Sequence, residues 1–261
     1  MKLTTQDRKD NQRRALSRRI IATELLPLLQ NKRGIRVLET DETIKLRPWK
    51  ARVETLTDVQ KMVHLAMRKD IVDEEDLKTA LTKQRRRAYE DEVTIQLERL
   101  GCQKTGRLSA GPALTELSEL SRVDAQSIIA TYNDDLAKTI TGIADKNPRA
   151  NRHTYAKNLK TWDTTRATEK SKQIAQFTDS SARSVALKDF YTFNDVQGFA
   201  VLAPTTAQCP VCAGWIARGE VPMQEATNNA PPYHPNCNHY FITVPAQKAD
   251  KEGCAELWTG S

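Results

Sequence analysis

The chain has 261 residues, 28% of them charged and only 6% aromatic, with a formal net charge of +7. This composition predicts a helix-rich soluble protein with modest cores, organised as one large or two smaller domains. The longest apolar run, Ile20 to Leu29, carries Glu24 and Pro27 and is too short to span a bilayer. No apolar segment or small-residue cleavage site follows the basic N-terminus, so a product made in the cytoplasm is expected.

The positive charge is unevenly placed. Residues 1–50 hold 13 Lys+Arg against 6 Asp+Glu, while the remainder holds 27 of each, so the whole excess lies in the first fifth of the chain. A basic N-terminal helical arm over 1–50 is therefore expected. It would meet an acidic protein surface or the backbone of DNA.

Residues 5–30 read as a first helix, with Leu16, Ile20, Ile21, Leu25 and Leu28 as its apolar stripe. Pro27 kinks or ends it, and Asn31-Lys-Arg-Gly34 is a stop signal. The alternation of Ile35, Val37, Ile44 and Leu46 suggests a small hairpin over 35–48. Helix resumes over 54–69, where His64 reads as a packed or surface residue. It returns over 73–100, with acids at the start and Gly101 as the C-terminal cap. Arg85-Arg86-Arg87 in that helix is expected on a solvated face. Residues 51–112 thus form a helical region, ending in the Gly-rich linker 101–112.

Ser121-Arg-Val-Asp124 resembles a capping box opening a helix that runs to Asn147-Pro148. A second long helix follows over 150–177, with His153 near its start on the surface. A third spans about 179–190. The short connection between the first two predicts an antiparallel helical hairpin, placed in a region over 113–197.

The character changes at Gly198. Phe199–Leu202 and Tyr240–Val244 read as strands bracketing Cys209-Pro-Val-Cys212 and His234-Pro-Asn-Cys237-Asn-His239. Soft thiols and imidazoles at this spacing suit a tetrahedral zinc ion. Cys209, Cys212 and Cys237 are three expected ligands. His234 and His239 compete for the fourth place, and His234 is favoured because its spacing to Cys237 matches the Cys209–Cys212 chelate. The apolar content of 198–261 is too low for a robust core alone, so a small zinc-stabilised module is expected there, with Trp215 and Trp258 as anchors. Cys102 and Cys254 are expected to be lone, inert thiols. The fold class expected is mainly α, with long antiparallel helices and a small C-terminal α+β module.

Phosphate loops, nucleophile elbows and internal repeats are absent from the sequence, and Asp134-Asp135 point apart on a helix. No enzymatic activity is expected. An HNH-like nuclease would need its two histidines further apart than His234 and His239 stand.

The order Cys209-Pro-Val-Cys212, Gly219, Pro231-Pro232, His234-Pro-Asn-Cys237-Asn-His239 and a strand ending in Val244-Pro245 resembles the Mu F-like family of phage minor head (head morphogenesis) proteins. The match covers about residues 199–245, with helices of similar style over 113–198. Ile174-Ala-Gln-Phe-Thr-Asp179 departs from that family's more usual Ala-Arg-Thr-Glu-like sequence, and residues 1–112 show no match. Asn238 stands where the family more often has arginine, and His239 falls on its last Cys/His position, which supports His239 as a ligand and leaves the choice with His234 open. The resemblance implies a structural virion component, made in the host cytoplasm and present near the portal vertex. It would contact the portal protein and the major capsid protein, and act in head assembly or DNA delivery. The alternative expectation is a zinc-containing nucleic-acid-binding protein. Against that, few basic residues other than Arg218 lie in 199–245.

Overall fold

A computed structural model describes residues 4–39, 63, 67, 73–102, 113–203, 209–233, 237, 239–247 and 254. The protein is mainly helical, with a small antiparallel sheet near the C-terminus. In chain order the elements are α1 (Thr5–Leu29), α2 (Lys32–Glu39), α3 (Glu74–Leu100), α4 (Leu114–Lys146), α5 (Arg152–Asn194), β1 (Gly198–Leu202), α6 (Pro210–Arg218), β2 (Glu220–Pro222), α7 (Met223–Asn228) and β3 (Phe241–Pro245). Residues form two compact units that are not consecutive stretches. The first comprises Met1–Thr23, Thr79–Ser121 and Lys172–Ser261; the second comprises Glu24–Lys78 and Arg122–Ser171. Residues 1–23 therefore pack in the same unit as the C-terminal module rather than standing apart as an arm.

The second unit is built on Tyr132, Leu136 and Ile140 of α4 against Tyr155, Ala156 and Leu159 of α5. The Tyr132 and Trp162 rings lie 5.6 Å apart, and the Arg166 guanidinium sits 4.5 Å over Tyr132. Asn151 opens α5 by accepting from Thr154 N–H at 3.0 Å. The hairpin expected over 35–48 is not found where the chain is described. Ile35 and Leu38 belong to helix α2, and both are buried in this core. An i, i+3 pair satisfies a helix as readily as an alternating strand. Ile44 and Leu46, His64, and most of the expected 54–69 helix lie outside the described residues, as does linker 103–112.

In the first unit, three local signals yield to tertiary packing. Ser121 does not start a helix, because α4 begins at Leu114. Its hydroxyl donates to Leu117 O at 2.7 Å and accepts from Arg85 Nη1 at 2.8 Å. Arg85 is accordingly buried, not on a solvated face. The helices expected over 150–177 and 179–190 are one continuous helix of 43 residues. Thr178-Asp-Ser-Ser181 looks like a helix start in sequence. All four residues are buried inside α5, and the side chains of Asp179, Ser180 and Ser181 bond to residues of other helices.

Asp179 is the clearest case. Its Oδ1 accepts from Ser17 Oγ at 2.7 Å and Arg183 Nε at 3.0 Å, and its Oδ2 accepts from Arg18 Nε at 3.0 Å. Arg183 also reaches Glu92 (3.0 Å) and Asp91 (2.6 Å) on α3. Arg14 grips Glu92 with two bonds, 2.8 and 3.2 Å, and both side chains are 2% exposed. Arg99 holds Asp7 (2.9 Å) and Asp10 (2.7 Å) of α1 and donates to Thr243 O of β3 at 2.8 Å. Arg14 and Arg18, which sequence alone offers to an outside partner, are thus engaged internally, while Arg8, Lys9 and Arg19 remain exposed and Arg13, also exposed, pairs with Glu98 of α3 at 2.9 Å.

The three strands form one sheet in the order β2-β1-β3. Ala200 pairs with Val221 on one side and Thr243 on the other, and Leu202 with Phe241. Apolar side chains of β1 and β3 join Val93, Leu97, Leu187 and Phe190 in the core. Gly198 permits the closest approach: a Cβ there would stand 2.4 Å from the Val244 carbonyl oxygen.

Cys102 and Cys254 are not lone thiols. They form a disulfide whose Cα atoms are 5.5 Å apart and whose ends are 152 residues apart in sequence. Cys102 N–H donates to Leu97 O at 2.9 Å, just past the positive-φ Gly101, and this turn carries the thiol into the core.

Two outcomes follow for stability. Burial would raise the Glu92 carboxyl, but the Arg14 and then Arg183 guanidinium charges outweigh it and hold it at about 2, against 4.5 unfolded. A lowered folded value contributes stability above pH 4.5 that is lost as pH falls towards 2, worth about 3 kcal/mol. Glu92→Gln is expected to lower stability by about 3–5 kcal/mol at neutral pH, since it leaves two buried cations short of their anion. Urea titrations should show the gap between wild type and variant closing as pH falls from 5 to 2. Gly198→Ala should cost about 1–3 kcal/mol in the same assay, because the clash is with backbone.

Candidate metal centre

The Cys209–Cys212 pair is held by helix α6. Cys209 is its N-cap in extended conformation (φ −87°, ψ 162°), Pro210 occupies the first turn, and Cys212 N–H donates to Cys209 Sγ at 3.3 Å. Proline suits that position because its missing N–H has no intrahelical partner to lose. The cap and the third helical residue face the same side, so both sulfurs leave the helix start together. Gly219 ends α6 with φ 71°, donating to Ile216 O at 3.2 Å, and turns the chain into β2. The Trp215 ring meets Phe241 of β3 edge-on at 5.7 Å, which seats α6 against the strand leaving the second half of the cluster.

That second half arrives after α7 and a cis Pro231–Pro232 peptide. The span between Cys212 and Cys237 is therefore structured through α6, β2 and α7, where the sequence suggested a long loop. Cys237 and His239 lie just before β3, and both are buried.

The donor atoms converge. Cys212 Sγ is 3.9 Å from Cys237 Sγ, and Cys237 Sγ is 3.8 Å from His239 Nδ1. The donor atoms of Cys212, Cys237 and His239 all lie within 4.8 Å of one another, and this group could hold a metal ion. Cys209 Sγ is 3.0 Å from Cys212 Sγ. Metal–sulfur bonds of about 2.3 Å in a tetrahedron set sulfurs about 3.8 Å apart, which the Cys212–Cys237 edge meets. The Cys209–Cys212 edge is shorter and would open by less than about 1 Å around such an ion. Of the five residues singled out in sequence, three form this group and Cys209 adjoins it. His234 lies outside the described residues.

Electrostatics favour a cation here. Burial first, then the Cys209 hydrogen bond and the facing Cys237, push the Cys212 thiol up to about 12. The Cys209 thiol is lowered by the Cys212 side chain and by the Cys212 N–H. Burial and the three facing thiols also raise the Tyr233 phenol. Cys212 thus eases ionisation of Cys209, while Cys209 and Cys237 oppose ionisation of Cys212, and a bound cation would remove that opposition. No carboxylate belongs to the group among the described residues.

Of the tryptophan anchors expected, Trp215 packs against the core with Arg218 4.6 Å over its ring, and Trp258 lies outside the described residues. Among the described residues, no helix is long and apolar enough to cross a membrane. No family model matches the chain, and no curated protein or solved structure matches it.

Metal analysis of the purified chain should give close to one divalent ion per molecule. Cys212→Ser and His239→Ala should each lower that occupancy, and removing the metal with a chelator should expose the segment after Gly198 to protease while the helices remain resistant.

Proposed function

We propose that this chain is a minor capsid (head morphogenesis) protein of a tailed phage. It sits at the portal vertex and acts in head assembly or in DNA packaging and delivery, without enzymatic activity. The observation that carries the proposal is the convergence of Cys209, Cys212, Cys237 and His239, in the motif order of the Mu F-like family, between two paired strands. The bound ion is zinc in this reading. Three thiols and an imidazole are a soft tetrahedral donor set that leaves no open position for a reacting water. Zinc there contributes folding energy to a module too small to hold itself together.

The partner is the portal protein, with the major capsid protein as a second contact. The exposed cations Arg8, Lys9, Arg13 and Arg19 on α1 are the proposed face for an acidic portal surface or packaged DNA. Deleting residues 1–19 would not isolate that face, because it would also remove Asp7, Asp10, Arg14 and Arg18 from the interior. The charge reversals Arg8→Glu, Lys9→Glu and Arg19→Glu leave those pairs in place.

Co-expression with the portal protein of the same phage, followed by an inventory of purified particles, tests the proposal. The chain should co-purify with portal and appear in virions. The triple charge reversal should weaken portal retention by roughly tenfold or more at low salt and much less at high salt. Particles that assemble, package DNA and lack the chain would overturn it.

A further inference from the structure

A cavity of about 20 Å³ lies in the first unit. Its walls include Arg14 and Arg18 of α1, Glu92 of α3, Ser180 and Arg183 of α5, and His239, Tyr240 and Phe241, so the imidazole of the metal centre borders it. We propose that it is a binding site for one small inorganic anion of the halide class, with chloride as the natural occupant. The proposal does not depend on the capsid role, and the thiols of the metal centre take no part in it.

Size sets the first limit. The inner space admits one body about as large as a water molecule, which suits a small monatomic ion. Charge sets the second. Three guanidinium groups line the cavity and only one carboxylate does. Asp179 and Asp91 balance Arg18 and Arg183 without forming part of the wall.

Hydrogen-bond accounting sets the third limit. The one carboxylate in the wall is fully used. Glu92 Oε1 accepts from Arg14 Nη2 at 2.8 Å and Gln96 Nε2 at 2.7 Å, and Oε2 accepts from Arg14 Nε at 3.2 Å and Arg183 Nη1 at 3.0 Å. Four bonds are the capacity of an ionised carboxylate. Arg14 is 2% exposed, and its Nη1 is buried with no partner among the described residues. Its guanidinium is stacked 4.2 Å over the Tyr240 ring, so it cannot turn to find one without losing that contact. An unpaired donor on a buried cation is expensive to leave unmade. The wall therefore offers an unpaired donor on a buried cation whose neighbouring guanidiniums are already matched by carboxylates. A water would satisfy Arg14 Nη1 but bring two O–H groups that need acceptors of their own. A halide accepts from several N–H and O–H donors and brings none.

The test uses the full chain. Crystals grown with bromide in place of chloride, measured at the bromine absorption edge, should give an anomalous peak in this cavity in contact with Arg14 Nη1. In solution, chloride should raise the melting temperature saturably by about 2–4 °C over gluconate at equal ionic strength. Arg14→Lys keeps a cation for Glu92 but removes Nη1, and it should abolish the chloride increment. If that variant does not fold, the wild-type measurements decide alone. An ordered water with no anomalous signal overturns the proposal. So does a bromide peak without any chloride-specific rise in solution, which would mark an adventitious ion only.

Discussion

The buried bonds among Arg14, Glu92, Arg183 and Asp179 fix how the first compact unit is built. Each ion comes from a different part of the sequence, and none is matched within its own helical turn except Arg183 with Asp179. A single carboxylate among these would be costly to bury; joined to two guanidiniums, it holds its charge far below the usual range. The lattice thus dictates which faces of α1, α3 and α5 must meet. It also explains why α5 runs unbroken through a polar stretch. Asp179 and Ser180 would compete with a helix in isolation, but here their side chains are committed to Arg18, Arg183 and Ser17.

The sheet and the donor cluster are fastened to this frame rather than standing apart from it. Thr243 donates to Gln96 Oε1 at 2.6 Å, and its carbonyl accepts from Arg99. Tyr191 donates to the same Gln96 oxygen at 2.9 Å. The β3 end of the cluster is therefore registered by helix α3, while the Cys209–Cys212 end is registered by the start of α6. A metal ion would close the remaining degree of freedom between them.

Much of this was legible in the sequence. Helical periodicity marked α1, α3 and α4, strand-like runs marked β1 and β3, and Cys/His spacing marked the cluster before any coordinates. What escaped had a common physical cause. Ser121, Arg85 and Thr178–Ser181 carry strong local signals, and each was overruled by a partner far away in sequence. β2 is only three residues long and α7 only six, too short for periodicity to register. Arg14 and Arg18 looked like surface charge because nothing local reveals that Glu92 and Asp179 wait opposite them. The Cys102–Cys254 bond joins residues with no shared motif, so spacing gave no hint of it.

That bond implies two covalent forms of one polypeptide. A reducing compartment where synthesis occurs keeps such thiols apart, whereas an oxidising exterior favours their union. Closing a loop this long restricts the unfolded ensemble by on the order of 5 kcal/mol in the chain-entropy view. The chain would then be softer wherever its surroundings are reducing and harder wherever they are oxidising. Cys254 would be tied to the end of α3 in the oxidised form alone.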